Sequence, residues 1–403
     1  MVSKEPCRSK TTHRVYFGDS TDLEAIDAGS VDLVVTSPPY PMIEMWDEVF
    51  AGQYPAIGNA LQEDDGWAAF RLMHEVLDGV WKELQRVLVD GGVACINIGD
   101  ATRTVGGSFA LYPNHARILT AFLDLGFSPL PAILWRKQTN APNKFMGSGM
   151  LPPGAYVTLE HEFVLVLRKG DKRPFKSEAA KKNRRSSSFF WEERNKWFSD
   201  VWFDLKGTTQ SLFDRETRSR SGAYPFELPY RLISMFSVKG DTVFDPFLGL
   251  GTTMFAAMAT GRNSVGYEID ANLGSIIGDQ VGGVVSLANA RMGERLGEHA
   301  TFVRERHGTK GTFGYRNEHY EFPVVTRQEV SLLLNSVASV EKTGEVAFEV
   351  QYSDQPQPEH VENWDWFFAE NGSSPPEKVT RKAKKERAGE PVQLDLLDSL
   401  KKG

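Results

Sequence analysis

Hydrophobic positions along the chain follow two rhythms that take turns. Val31-Asp32-Leu33-Val34-Val35 is nearly continuous in apolar residues, as a strand buried on both faces should be. It runs into Thr36-Ser37-Pro38-Pro39-Tyr40, where two consecutive prolines must stop it. A helix is then expected behind the caps Asp64-Asp65. Its apolar positions Trp67, Phe70, Met73, Leu77, Trp81, Leu84 and Leu88 recur every three or four residues, and Gly91-Gly92 ends it. The same reading predicts strands at 15–17, 93–96, 133–135, 163–167, 242–244 and 264–267. Helices are expected at 116–125, 226–238, 252–259 and 284–296. Strands alternating with helices predict an α/β chain with a mostly parallel sheet.

Between residues 168 and 220 the periodicity dissolves. Lys181-Lys182-Asn183-Arg184-Arg185 leads through three serines into Phe189, Phe190, Trp191, Trp197, Phe198, Trp202 and Phe203. Fifteen Lys and Arg stand there against eight Asp and Glu, inside a chain whose net charge is -7. A basic segment in an acidic protein points to nucleic-acid contact more strongly than the overall balance argues against it. Trp191, Trp197 and Trp202 read as a small core rather than as base readers. Residues 301–370 read as an appendage, and 371–403 as a charged, disordered tail.

At 403 residues, one large domain with insertions or two domains are expected. No run reaches the ~18 apolar residues of a membrane span, and Met-Val-Ser-Lys-Glu lacks the apolar core of a signal peptide. Two cysteines, Cys7 and Cys95, exclude a disulfide framework and a four-cysteine zinc site, so a reducing cytoplasm is the default. His161-Glu162, His74 and His115 lack companions at ligand spacing and read as structural. No metal site is expected.

Two motifs carry chemistry. Asp245-Pro246-Phe247-Leu248-Gly249-Leu250-Gly251-Thr252-Thr253 sits between a strand and a helix, where glycines expose helix N-terminal amides to a ligand. It is not a P-loop, because no lysine follows Gly251, and Met254 spoils a dinucleotide fingerprint. Glu268, at the end of the next strand, can accept hydrogen bonds from both hydroxyls of a ribose. A nucleoside ligand without a pyrophosphate fits. The second motif, Thr36-Ser37-Pro38-Pro39-Tyr40, puts a hydroxyl, a rigid carbonyl and a ring at the carboxyl end of a buried strand, where open α/β sheets bind ligands.

With these motifs the chain resembles the amino-methylating DNA methyltransferases that use S-adenosylmethionine, in which Ser-Pro-Pro-Tyr is the catalytic loop and Asp-Pro-Phe-x-Gly-x-Gly the cofactor loop. Catalytic loop first, basic region between and cofactor loop last is the order of the permuted beta group, of the N4-cytosine kind represented by the BamHI and PvuII modification methylases. The resemblance covers roughly residues 15–296. It implies a Rossmann-like class I methyltransferase fold, circularly permuted, with a mostly parallel sheet, helices on both faces and an inserted target-recognition region. The division expected is 1–167 for the catalytic half, 168–222 for target recognition and 223–300 for the cofactor half.

The resemblance also implies roles. Gly249, Gly251, Thr252 and Thr253 would line the methionine end of the cofactor, with Asp245, Pro246 and Phe247 completing that wall and Glu268 holding the ribose. Asp19 matches the acid that contacts the adenine amino group, and the segment bearing Phe226 and Leu228 the one that closes the methionine pocket. Ser37 and the Pro38 carbonyl would accept hydrogen bonds from the target amino group, on the loop that Pro39 stiffens, and Tyr40 would stack on a flipped base. Lys181, Lys182, Arg184 and Arg185 are expected phosphate contacts on double-stranded DNA, and base readers would come from among Arg194, Arg215, Arg218 and Arg220.

N6-adenine methylation on the same scaffold is the rival, because its members usually carry Asp or Asn where Ser37 stands. A catalytically silent DNA-binding relative, or a methyltransferase for RNA or protein, is the reading from another class. Carbon-5 cytosine chemistry would need a cysteine nucleophile, and neither Cys7 nor Cys95 sits at a strand end. A cognate restriction endonuclease is the implied functional partner. Gln393-Leu394-Asp395-Leu396-Leu397 resembles the bacterial sliding-clamp-binding pentapeptide, against the alternative of a frayed helix.

Overall fold

The computed structural model describes residues 9–137, 146–205, 224–307 and 313–370. The clamp-like segment 393–397, Cys7, Arg215, Arg218 and Arg220 lie outside them. The described residues place ten strands in one large sheet: β1 (Lys10–Phe17), β2 (Val31–Thr36), β3 (Leu88–Ile98), β4 (Phe127–Arg136), β5 (His161–Lys169), β6 (Val201–Trp202), β7 (Thr242–Asp245), β8 (Asn263–Glu268), β9 (Val337–Gly344) and β10 (Ala347–Tyr352). Their order across the sheet is β6-β4-β5-β3-β2-β7-β8-β1-β10-β9. The five strands from β3 to β1 are mutually parallel, while β5 and β10 run against their neighbours.

This is a permuted parallel sheet. β1 pairs with β8, Phe17 facing Glu268, and β7 pairs with β2, Val243 facing Leu33. The amino-terminal strand thus lies beside the late pair. Alternate residues of β2 feed different cores, as a strand covered on both sides requires: Leu33 and Val35 join one hydrophobic cluster, Val34 the other. Helices α1 (Gly66–Val87) and α2 (Asn114–Asp124) cover one face. Two further helices, α3 (Glu178–Ser186) and α4 (Trp191–Trp197), follow β5. The other face carries α5 (Glu227–Phe236), α6 (Thr252–Thr260) and α7 (Val284–Glu305).

Several expectations are corrected. Asp65 caps α1 as expected, accepting from the Ala68 amide at 2.8 Å. The helix, however, ends at Val87, because Leu88 is extended and opens β3, leaving Gly91-Gly92 inside the strand. The region from 177 to 205 is ordered rather than patternless. Ser177 caps α3, and β6 pairs with β4, Trp202 facing Trp135. Trp197 and Trp202 are buried in the main core, not in a separate small one. Residues 337–352 are no appendage either, since β10 pairs with β1 and extends the sheet. Trp364, Phe322 and Phe367 form a third cluster against α7. Cys95 is buried within β3, and burial pushes its thiol up, so it is no nucleophile. Among the described residues, no helix is long and apolar enough to cross a membrane, and no three His, Cys, Asp or Glu side chains gather as a metal site would need.

Candidate active site

Because β2 and β7 are parallel neighbours, the loops that follow them leave the sheet side by side. Buried Asp245 ties the two strands together. One of its oxygens accepts from Thr36 Oγ1 at 2.6 Å and the Phe247 amide at 3.0 Å. The other accepts from Thr253 Oγ1 at 2.6 Å and the Tyr224 hydroxyl at 3.2 Å. Burial nevertheless pushes its carboxyl up to about 6. The hydroxyl of Thr253 is also in contact with Tyr224 Oη and the Val35 carbonyl. Asp245 and Thr253 therefore use their polar atoms to join the two loops. Pro246 is buried, its carbonyl accepting from Ser20 Oγ, and Phe247 packs edge-on to Trp81.

Beyond this tie the cofactor loop is bare backbone. Gly249 and Gly251 hold φ values of 55° and 85°, the left-handed region that side chains disfavour, and Gly251 leads directly into buried Thr252 at the start of α6. A Cβ on Gly249 would meet nothing within 4 Å. Glu268 closes one side: Oε2 accepts from the Gly249 amide at 2.7 Å and Oε1 from the Asp270 amide at 2.9 Å. Burial raises its carboxyl. Exposed Asp19, at the end of neighbouring β1, accepts from the Thr21 amide and from Gln53 Nε2 at 3.1 Å. Phe226, just ahead of α5, is buried, and Leu228 lies wholly within the core with no exposed surface. A glycine turn that no side chain obstructs, flanked by two carboxylates, suits a nucleoside carrying a small side arm.

On the catalytic-loop side, Ser37 Oγ donates to Tyr40 Oη at 3.1 Å, and Tyr40 Oη donates to Glu162 Oε2 at 3.0 Å. Asn97 Nδ2 donates to both Tyr40 Oη at 2.9 Å and Glu162 Oε2 at 2.8 Å, and Lys137 pairs with the other Glu162 oxygen. Burial and the nearby Glu162 hold the Tyr40 hydroxyl well above its usual range, so it remains a donor. Asn114 secures the loop's exit, donating to the carbonyls of Pro41 at 3.1 Å and Gly99 at 3.0 Å.

Glu162 and Asn97 are additions that the sequence does not supply as site residues. Glu162 reads in the sequence as structural, yet the register of β5 on β3 sets it beside Tyr40. Asn97 carries a signal: a polar residue inside the apolar strand Val93-Ala94-Cys95-Ile96-Asn97-Ile98 is the kind of buried polar group that demands a partner. His74 and His115 are structural as expected, bonded to Asn114 and Asp100.

The four expected phosphate contacts are not brought to these loops. Asn183 Nδ2 donates to the Lys239 carbonyl at 2.8 Å, and Ser187 Oγ accepts from the Lys239 amide at 3.0 Å. Those bonds dock α3, with Lys181, Lys182, Arg184 and Arg185, at the amino ends of the strands. Ser37 lies at the carboxyl end of β2, whose six residues span about 20 Å at ~3.3 Å each.

Residues 31–278 match the family model for N6/N4 DNA methylases. The chain belongs to the N6/N4 DNA methylase family. The type II methyltransferase M.MthZI of Methanothermobacter thermautotrophicus is 51% identical over 346 residues, 86% of this chain and 96% of that protein. M.MjaI of Methanocaldococcus jannaschii, also a type II methyltransferase, is 49% identical over 283 residues, 68% of this chain and 92% of that one. The Thermus thermophilus protein TTHA0409, whose crystal structure holds S-adenosyl-L-methionine, is 30% identical and superposes with a TM-score of 0.51, covering 66% of this chain and 91% of its own. This methylase acts on DNA, its fold is that of the S-adenosylmethionine-dependent methyltransferases, and S-adenosylmethionine is its cofactor.

Proposed function

We propose that this methylase modifies the exocyclic N4 of cytosine at a specific sequence in double-stranded DNA, as the modification partner of a restriction endonuclease. The observation that carries the reading is the hydrogen-bond chain from Ser37 through Tyr40 to Glu162. With its hydrogen engaged by Tyr40, the half-exposed Ser37 oxygen is left as an acceptor beside the rigid Pro38 carbonyl. Two acceptors suit an amino group, whose hydrogens they would hold while its nitrogen turns tetrahedral. A carboxylate or amide at position 37, usual in the rival N6-adenine enzymes on this scaffold, would present a different acceptor.

S-adenosylmethionine supplies an electrophilic methyl group when bound. Gly249, Gly251 and Thr252 would line its methionine arm, Glu268 would accept from the ribose hydroxyls, and Asp19 would meet the adenine edge. Asp245 and Thr253 would act indirectly, by fixing that loop against the catalytic strand, and Phe226 would form the pocket's back wall. Once the target nitrogen is alkylated, one of its protons would leave along the existing chain, from Ser37 Oγ to Tyr40 Oη to Glu162. Glu162 is thus a positioning residue and the terminal proton acceptor. The target base would reach the loop by flipping out of the duplex, at a cost of a few kcal/mol. That both M.MthZI and M.MjaI are type II methyltransferases supports the restriction–modification setting.

Single-turnover methylation by Ser37→Ala tests the assignment. Turnover should be abolished or fall steeply while affinity for S-adenosylmethionine stays within a few-fold of wild type; a fully active variant would end it.

A further inference from the structure

At the other end of the sheet, between α3, α5, α6 and α7, lies a small, partly open cleft lined by Tyr230, Ser234, Lys239, Arg262, Arg295 and Asn335. Lys239 precedes β7 and Arg262 precedes β8, so the cleft sits at the amino ends of the strands whose carboxyl ends bear the active site. Arg262 is almost wholly buried. Its guanidinium donates to Ser237 Oγ at 3.1 Å and to the carbonyls of Ser237 and Thr260, all neutral acceptors. Lys239 Nζ donates to the Leu333 carbonyl at 2.6 Å and to Asn335 Oδ1. Neither cation makes an ion pair among the described residues. The neighbouring acids are already committed, Glu193 to Arg295 and Asp241 to Arg173. Asp241 acts on Arg262, and Asp354 on Lys239, through space and without contact.

A buried guanidinium with no carboxylate in contact is costly, and a cleft holding two such cations is short of an anion. Two hydroxyls in it also lack acceptors. Ser234 is 7% exposed and its hydroxyl makes no hydrogen bond among the described residues, while Tyr230 Oη accepts from Arg295 Nη1 at 3.2 Å and keeps its own hydrogen free. We propose that this cleft binds a phosphate-class oxyanion, held by Lys239 and Arg262 and by the hydroxyls of Tyr230 and Ser234. The spare hydrogens of the two cations and the two hydroxyls together match a tetrahedral, acceptor-only ligand. Exposed Lys182, Arg184 and Arg185 belong to α3, whose last residue Ser186 lines the cleft, and raise the local anion concentration. The Lys239 ammonium is pushed down to about 7 by burial and by Arg262 and Arg295, which a bound anion would reverse.

Inorganic phosphate is the probe, titrated against chloride at constant ionic strength and followed by thermal unfolding of the full chain and by phosphorus NMR line width. Phosphate should raise Tm saturably, as binding to the folded state requires. Lys239→Met should weaken binding at least tenfold and Ser234→Ala several-fold, with methyl transfer unchanged in both. Should Lys239→Met fail to fold, Ser234→Ala and Tyr230→Phe decide the matter. A short non-target duplex that displaces phosphate from the wild type would identify a DNA backbone phosphate as the ligand's source; a duplex that leaves phosphate bound would identify a free phosphate or phosphomonoester. Equal responses to phosphate and chloride, or wild-type affinity in folded variants, would overturn the proposal.

Discussion

Tyr40 donates its hydroxyl hydrogen to Glu162 across 122 residues of chain, at 3.0 Å. Ser37 donates in turn to Tyr40, so the direction of every hydrogen in the chain is set by the carboxylate at its end. Both Glu162→Gln and Tyr40→Phe break that order while keeping shape. Each should lower kcat by on the order of 10²-fold, with cofactor affinity unchanged and Tm within a few degrees. Losses confined to Tm, with kcat intact, would reduce Glu162 to a packing role.

Gly99 lies beneath this chain. A Cβ there would stand 3.1 Å from Tyr40 Cε2 and 3.3 Å from Glu162 Cγ, so the two side chains that must give way are the pair just described. Gly99→Ala should therefore cost activity more than stability, roughly tenfold or more in kcat. Retained activity would show that the network tolerates a displacement of a few tenths of an ångström.

Glu268 holds the Gly249 amide through one oxygen and the Asp270 amide through the other. Glu268→Ala removes the proposed ribose acceptor and also frees the glycine turn, and Glu268→Gln keeps an acceptor but loses the charge. Calorimetric titration with S-adenosylmethionine should show affinity falling at least tenfold for Ala and less for Gln. Unchanged affinity in both would move the ribose site elsewhere.

Asp245 gives a pH signature. Burial raises its carboxyl from the ordinary value near 3.8 to about 6, so the folded chain holds a proton there that the unfolded chain has lost between those values. Its stabilising contribution is complete below about pH 4 and disappears as pH rises through about 6. At roughly 1.4 kcal/mol per pH unit, wild type should lose about 3 kcal/mol relative to Asp245→Asn between pH 4 and pH 7. Urea unfolding of both proteins across that range measures it, and a flat difference would contradict the buried, partly protonated tie.

The catalytic half of the sheet is legible in the sequence because its strands are buried on both faces. Leu33, Val34 and Val35 form an unbroken apolar run, and the apolar stripe of α1 keeps a helical period. The strands that escape notice are at or next to the sheet's edges. β6 is two residues long, and β10 buries only alternate residues, Phe348, Val350 and Tyr352, on one face. Both motif loops announce themselves through prolines and glycines, whose backbone demands are local. Glu162 does not, because its meaning comes from a strand register that pairs it with a tyrosine far away in sequence. The basic cluster on α3 is legible as charge but not as a place in space. Its docking depends on Asn183 and Ser187 finding the backbone of Lys239, a contact that composition cannot reveal.

The central claim is that the acceptor pair at Ser37 and Pro38 handles the amino group of cytosine. Incubation with isotopically labelled S-adenosylmethionine and mixed-sequence duplex DNA, followed by nucleoside mass spectrometry, tests it most directly. Label is predicted in N4-methylcytosine; label in N6-methyladenine, or in no nucleoside at all, would contradict the account.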